Sequence, residues 1–500
     1  MRVVVCCLLL GWATTALAAN PLNSLQNLQS KHRELQQQFQ SGVEGIVSQA
    51  APSVRTEADN EVQHRLEWLA RGEHRRTPLP KEVQADIPLA LPAEERAWRM
   101  QLKKAETDYA QQLYLLSRRV LYAKYPGFAF QLVREAATFD PDHAQARRVL
   151  GFVRHGNEWV TPFAARMLKQ NNVWHDRFGW LPRSSVDRYN GGERQVNGRW
   201  MTADQEAEVR RDFRYAWQIR TDHYLVKTNY DLEEGVRLAV ALEAFHGAFH
   251  ELFAGFFNTP EQMEKMFQSA SAAARQSDKP FVVHFYREKA EYVARLERDF
   301  PQIAATNGFY QTNERIVHFF HDPMANNEAT LFHEATHQLF YECHPGNRQI
   351  GETAHFWVIE GIACYMESFQ ARGGGIMLGD PGYIRFAGAR HNALNEGYYV
   401  PLRELASMGT REFQNVPMPA LASNYTQSAG LAWFLMDYEE GRYREFLVDH
   451  LTQLYSPIDR TRQGAADLDD LIGVDYEELD RQYLEFLKAH AGIPVSSATN

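Results

Sequence analysis

The sequence predicts an α+β protein, because strand signals gather between Trp217 and Phe320 and helical patterns dominate from Asn326 onward. Strands collected ahead of a helical half suggest one α+β domain over residues 217–490. A mainly α-helical N-terminal region, most evident over 93–157, precedes it.

The chain opens MRVVVCCLLLGWATTALAAN, with one positive charge at Arg2, an apolar run from Val3 to Ala13 and small residues ending in Ala18. That pattern predicts a secretory signal peptide at residues 1–18 and export to the periplasm or extracellular space. The apolar run falls short of the roughly 20 residues a bilayer span requires and no second long one occurs, so no membrane span is expected after cleavage. The length exceeds what one core usually serves, so two or three domains are expected. A net charge of −10 without a concentrated basic run argues against nucleic acid as a partner. Beyond the leader only Cys343 and Cys364 remain of four cysteines. No disulfide framework or cysteine-rich metal module can be built from two, so a metal has to be held by His and carboxylate.

Residues 19–92 read as a polar helical arm followed by a linker. Leu25, Leu28, Leu35, Phe39 and Ile46 share one heptad frame interrupted by His32 and Gly42, which predicts an exposed amphipathic helix available to a protein partner and fading into disorder towards Asn60. The stretch from Arg65 to Pro92, with Pro78, Pro80, Pro88 and Pro92, predicts the linker. Over 93–157, a helix, a Pro126 turn and further helices resemble one tetratricopeptide-like unit, or else a plain helical cap on the next domain. Residues 158–216 carry Trp159, Trp174, Trp180 and Trp200 between turn signals, and predict short strands or irregular structure held by tryptophan packing. Alternation over Trp217–Thr221 and Tyr224–Thr228 predicts a strand pair or one long bent strand, and Leu232 to Phe257 a long helix. Further strands are expected at Pro280–Phe285, Gly308–Tyr310 and Ile316–Phe320, with a helix from Lys289 to Phe300. Residues 491–500 read as a tail.

The chemistry concentrates in His333-Glu334-Ala335-Thr336-His337, an H-E-x-x-H motif in an apolar-periodic stretch without Pro or Gly from Asn326 to His344. Four-residue spacing sends both imidazoles from one helical face, as two nitrogens on a tetrahedral Zn2+ require, and places Glu334 to act as general base. A third ligand is offered by Glu360 in Phe356-Trp357-Val358-Ile359-Glu360-Gly361-Ile362-Ala363. An unpaired carboxylate among those apolar neighbours would be costly, and Gly361 and Ala363 allow close helix approach. Gly373-Gly374-Gly375 lacks the helix of a phosphate loop and reads as a turn. His344 and His355 read as helix-ending or packing residues. Antiparallel metal helices would hold Cys343 and Cys364 roughly 15 Å or more apart, so both thiols are expected unpaired.

HEATHQL followed by FWVIEGIACYME resembles the gluzincin clan of zinc metallopeptidases. Over about residues 150–490, through NEWVTPF, WQIRTDHYLVKTN and YTQSAGLAWFLM, the chain also resembles a family of secreted bacterial proteins common in planctomycetes and of unassigned function. The clan resemblance implies a thermolysin-like catalytic domain with ligands His333, His337 and Glu360. It implies hydrolysis of a peptide or protein substrate by zinc-activated water with Glu334 as base, and by position in a later helix it makes Tyr425 the candidate oxyanion donor. One departure stands out: thermolysin-like members often carry Asp four residues after the ligand Glu, where this chain has Cys364. The orienting partner of a ligand His must then come from elsewhere, with Glu367 or a backbone carbonyl as candidates. The alternatives are a non-catalytic peptide-binding or scaffold protein on the same fold, against which the intact Glu334 argues, and a zinc amidase acting on cell-wall material.

Overall fold

The computed structural model describes residues 21–70, 75–76, 78–268, 279–324, 327–344, 350–372, 375–456 and 466–496. The expected signal peptide, the end of the tail, Gly373 and Gly374 lie outside the described residues. The architecture is mixed α+β with helix predominating. No described helix is long and apolar enough to cross a membrane.

The N-terminal region comprises α1 (Pro21–Gln49), α2 (Arg55–Ala70), the short strand β1 (Arg75–Arg76), α3 (Ala93–Tyr122), α4 (Pro126–Phe139) and α5 (Ala144–Val149). The expectation of an exposed arm fading into disorder is overturned. Helix α1 packs along α3, and its Leu25, Leu28, Phe39 and Val43 join Leu102, Tyr109 and Leu113 in one buried core, with residues 55–70 helical beside them. The apolar stripe that the heptad frame revealed therefore has its partner in the same chain. His32, the residue that broke the frame, meets a buried carboxylate: its Nε2 lies 2.7 Å from Glu135 of α4, which also accepts from the Tyr109 hydroxyl at 2.5 Å. Helix α4 begins with Pro126 in its first turn, where a missing N–H leaves no helical bond unmade. The Pro-containing stretch 78–92 holds no helix and only an isolated bridge between Glu82 and Glu158, and it is pinned by Arg147, whose guanidinium donates to the carbonyls of Pro80 and Pro141.

The stretch 158–216, expected to be short strands or irregular structure, falls largely in three consecutive hairpin-helix units over residues 153–210, the first of which begins inside the region expected to be helical. These are β2 (Val153–His155), β3 (Glu158–Val160) and α6 (Pro162–Lys169); β4 (Asn172–His175), β5 (Gly179–Pro182) and α7 (Val186–Asn190); β6 (Glu193–Val196), β7 (Arg199–Thr202) and α8 (Ala203–Arg210). Trp159, Trp180 and Trp200 each lie on the second strand of a unit. Asn197 and Gly198 take positive φ in the last hairpin, the backbone a two-residue turn demands. Thr161 and Thr202 cap α6 and α8 through their side-chain oxygens.

The central sheet is built from β8 (Trp217–Arg220), β9 (Tyr224–Thr228), then α9 (Leu232–Leu252), α10 (Ala254–Phe257) and α11 (Pro260–Gln268), β10 (Phe281–Tyr286), α12 (Lys289–Leu296), β11 (Gly308–Gln311) and β12 (Ile316–Phe320). Its order is β11-β12-β10-β9-β8. The inner strands β9, β10 and β12 are parallel, while β8 and β11 close the edges antiparallel. Val226, Val283, Phe285, Val317 and Phe319 are fully buried in the main core together with α9 and the site-bearing helices.

Those helices are α13 (Asn327–Cys343) and α14 (Phe356–Met366). A small hairpin, β13 (Gln370–Arg372) and β14 (Gly375–Met377), pairs with β1. Helices α15 (Ile384–Leu394), α16 (Leu402–Ser407), α17 (Thr410–Gln414), α18 (Ala420–Asp437), α19 (Arg444–Tyr455), α20 (Leu468–Ile472) and α21 (Tyr476–Ala489) complete the chain. The N-terminal helices are fastened to this half: the Phe128 N–H donates to Glu445 at 2.9 Å, and Arg134 pairs with Glu251 at 2.8 Å.

Candidate metal centre

Helix α13 is split lengthwise by its sequence. Leu331, Phe332, Ala335, Leu339 and Phe340 are fully buried in the main core, and Gln338 donates to the carbonyls of Val282 and Arg315. His333, Glu334 and His337 stand half-buried on another face. Helix α14 is buried along its length except at Glu360, which is half-buried. It approaches α18 closely because Gly361 lies against the Ser428 backbone, where a Cβ would come within 2.6 Å of the carbonyl oxygen.

Three expected ligands converge as a result. His333 Nε2 lies 3.2 Å from His337 Nε2, and Glu360 Oε2 lies 3.5 and 3.8 Å from the same two atoms. Donors bound at about 2.0–2.1 Å to a tetrahedral zinc stand roughly 3.3–3.5 Å apart, so the triangle has the size of such a face. Its chemistry agrees. His333 Nδ1 lies 2.9 Å from a carboxylate oxygen of Glu367, which only accepts, so Nδ1 carries a hydrogen and Nε2 is the atom that presents a lone pair once a metal displaces its proton. That lone pair faces a second imidazole nitrogen and a carboxylate oxygen, an arrangement a cation balances.

The field around these groups is uneven. Burial, reinforced by Glu360, raises Glu334 to about 7 against the attraction of His333. Burial lowers His337 to about 4 although Glu360 opposes it. For His333, burial is outweighed by contacts with Cys364, Glu360 and Glu367, which hold it well above the ordinary value. Glu360 resists the upward push of burial and lies below the usual carboxylate range because His337 and His333 favour its charge.

Glu334 is held by the sheet edge: its Oε2 accepts the Tyr310 N–H at 2.8 Å. Gly308 permits this approach, since a Cβ there would come within 2.6 Å of the Thr330 methyl and 3.1 Å of Glu334 Cγ. Tyr425, on α18, packs edge-on against Phe413, and its hydroxyl accepts from Gln414 Nε2 at 3.3 Å. Burial and the charge of Glu360 push its phenol up to about 12.

The position opposite His333 Nδ1 is taken by Glu367 and not by a backbone carbonyl, and Cys364 Sγ lies within 4.8 Å of the donor atoms of both. Sequence reasoning missed the two residues that hold Glu367 in turn, Tyr383 and Arg385, because they enter from α15 and its N-cap. Cys343 and Cys364 are both unpaired. His344 bonds to the Phe256 carbonyl and packs tilted against its ring, and His355 packs against His450, so both belong to packing. The family described as "Protein of unknown function (DUF1570)" matches residues 327–457, from the start of α13 past the end of α19, and so includes the whole His333–His337–Glu360 triangle. No match is found among the curated proteins.

Proposed function

We propose that the protein is an exported zinc metallopeptidase of the gluzincin type, with a thermolysin-like catalytic half, zinc held by His333, His337 and Glu360, and Glu334 as general base. The observation that carries this reading is the triangle of donor atoms with a half-buried carboxylate one residue along from the first histidine. Zinc in that triangle would supply a Lewis acid that acidifies water and polarises a carbonyl. Glu334, anchored through one oxygen by the Tyr310 amide, has its other oxygen free of that bond to accept a proton and to return it to the leaving amine. The Tyr425 hydroxyl can donate to a developing oxyanion without carrying charge near neutral pH.

A peptide is favoured as substrate by the strand beside the base. β11 is the outer strand of the sheet, so one of its edges has no strand partner among the described residues, and an extended chain can add to such an edge by main-chain hydrogen bonds. Metal analysis of the purified protein should find about one zinc per chain, and a peptide-library digest should show cleavage abolished by a chelator and restored by zinc. Metal-replete protein that cleaves nothing in the library while binding its peptides would replace the enzyme reading with a binding one.

A further inference from the structure

We propose that Arg385 is a positioning residue for the metal centre, acting through Glu367 on His333; the inference rests on the zinc reading above. The Glu367 carboxylate is buried and fully engaged. Its Oε1 faces His333 Nδ1 at 2.9 Å and Arg385 Nη2 at 3.1 Å, while its Oε2 accepts from Arg385 Nε at 2.9 Å and from the Tyr383 hydroxyl at 3.0 Å. The two parallel guanidinium bonds fix the plane of the carboxylate as well as its position, which a single donor cannot do. A carboxylate so held keeps one oxygen on His333 Nδ1, and the imidazole is left with its ring plane set and its lone pair at Nε2, the atom turned towards His337 and Glu360.

The placement explains why Cys364 can stand where an aspartate would otherwise orient the histidine. Glu367 lies seven residues beyond Glu360, almost two turns of helix, and reaches His333 from the end of α14. Buried beside a thiol and an imidazole that has to be neutral to bind zinc, it would lack compensation for its charge in the zinc-bound site, and Arg385 supplies it. The guanidinium is brought there by the first turn of α15, whose Phe386 stacks on Trp433 of α18 at 5.0 Å. The orientation of a ligand on α13 thus depends on how α15 is seated.

The test uses the full-length protein and zinc alone, with the dissociation constant read by competition against a chromophoric chelator and the apo fold checked by thermal unfolding. Arg385→Gln should weaken zinc binding by roughly 10- to 100-fold, the range for removal of groups that orient a metal-bound histidine. Arg385→Lys, which keeps the charge but loses the fork, should recover part of that loss, and Tyr383→Phe should show a smaller one. An unchanged zinc constant in Arg385→Gln, even with a lowered apo melting temperature, would mean a purely structural ion pair and overturns the proposal. If that variant does not fold, wild-type affinity in Tyr383→Phe together with wild-type affinity in Arg385→Lys overturns it instead. Wild-type protein that binds no zinc overturns the reading of the site itself and this inference with it.

Discussion

Glu334 and Glu360 are both half-buried carboxylates near the same two imidazoles, yet the proposed function gives them different work, and two substitutions separate it. Glu360→Ala removes one corner of the donor triangle and should lose zinc, whereas Glu334→Gln keeps the triangle and should retain zinc while losing hydrolysis. Zinc bound as tightly by Glu360→Ala as by wild type would show that the third donor lies elsewhere. For Tyr425→Phe, kcat should fall roughly 10- to 1,000-fold with zinc content unchanged, as for loss of one oxyanion donor. Unchanged turnover would assign Tyr425 to its contacts with Phe413 and Gln414 alone. What could be read at this scale was what helical periodicity alone determines: His333 and His337 share a face by spacing, and Glu360 stood out as a charge in an apolar run. Tyr383 and Arg385 were illegible, since nothing in a local pattern tells that the start of α15 docks against the end of α14.

At the scale of elements, two glycines show how the same substitution takes opposite signs. Gly361→Ala would drive a Cβ to 2.6 Å from the Ser428 carbonyl oxygen and 3.0 Å from its carbon, backbone that cannot step aside without moving α18 from α14. A loss of about 1–3 kcal/mol in denaturant unfolding is expected, with weakened zinc binding because Glu360 is the preceding residue. Gly42→Ala, within α1 and with nothing inside 4 Å of the added carbon, should instead stabilise by up to about 1 kcal/mol through helix propensity and reduced freedom of the unfolded chain. Equal shifts in the two variants would mean that the α14–α18 contact yields freely. Periodicity revealed which face of α1 is apolar, but it carries no information on whether the surface that covers it belongs to the same chain. The three hairpin-helix units did leave a trace, in Trp159, Trp180 and Trp200 recurring about every twenty residues. Units this short contain too few periodic positions for their strands to be separated from loops by pattern alone.

For the molecule as a whole, the strands of the central sheet were legible in the sequence, but their order was not: β9, β10 and β12 pair in parallel across long intervening segments, and only the collapsed core selects that arrangement. One consequence of the sheet is a pair of buried histidines, His284 on β10 and His318 on β12, with ring centroids 5.1 Å apart. Burial, reinforced by Lys227 and Arg295, lowers His284 to about 3, and burial, reinforced by His284 and Arg295, lowers His318 to about 2. The neutral ring of His318 is already satisfied by the Tyr286 hydroxyl at Nδ1 and by Gln311 Oε1 at Nε2. An unfolded chain takes up protons at both histidines near pH 6.5, while the folded chain refuses them until far lower. Their contribution to stability is therefore complete above about pH 6.5 and is lost as pH falls from there, each by roughly 1.4 kcal/mol per pH unit once the unfolded form is fully protonated. Glu342 and Glu445 act in the opposite sense: burial raises both to about 7, so the fold keeps protons that the unfolded chain releases near 4.5, and their contribution disappears as pH rises through 7. The net acid response is a competition, and a substitution isolates one part of it. Unfolding free energies of His318→Gln measured between pH 6 and 4.5 should change with pH less steeply than those of the wild type, by up to about 1.4 kcal/mol per pH unit, whatever the variant's absolute stability. Parallel curves would show that the folded protein protonates His318 as readily as the unfolded chain does, and that the sheet does not exclude charge from this face.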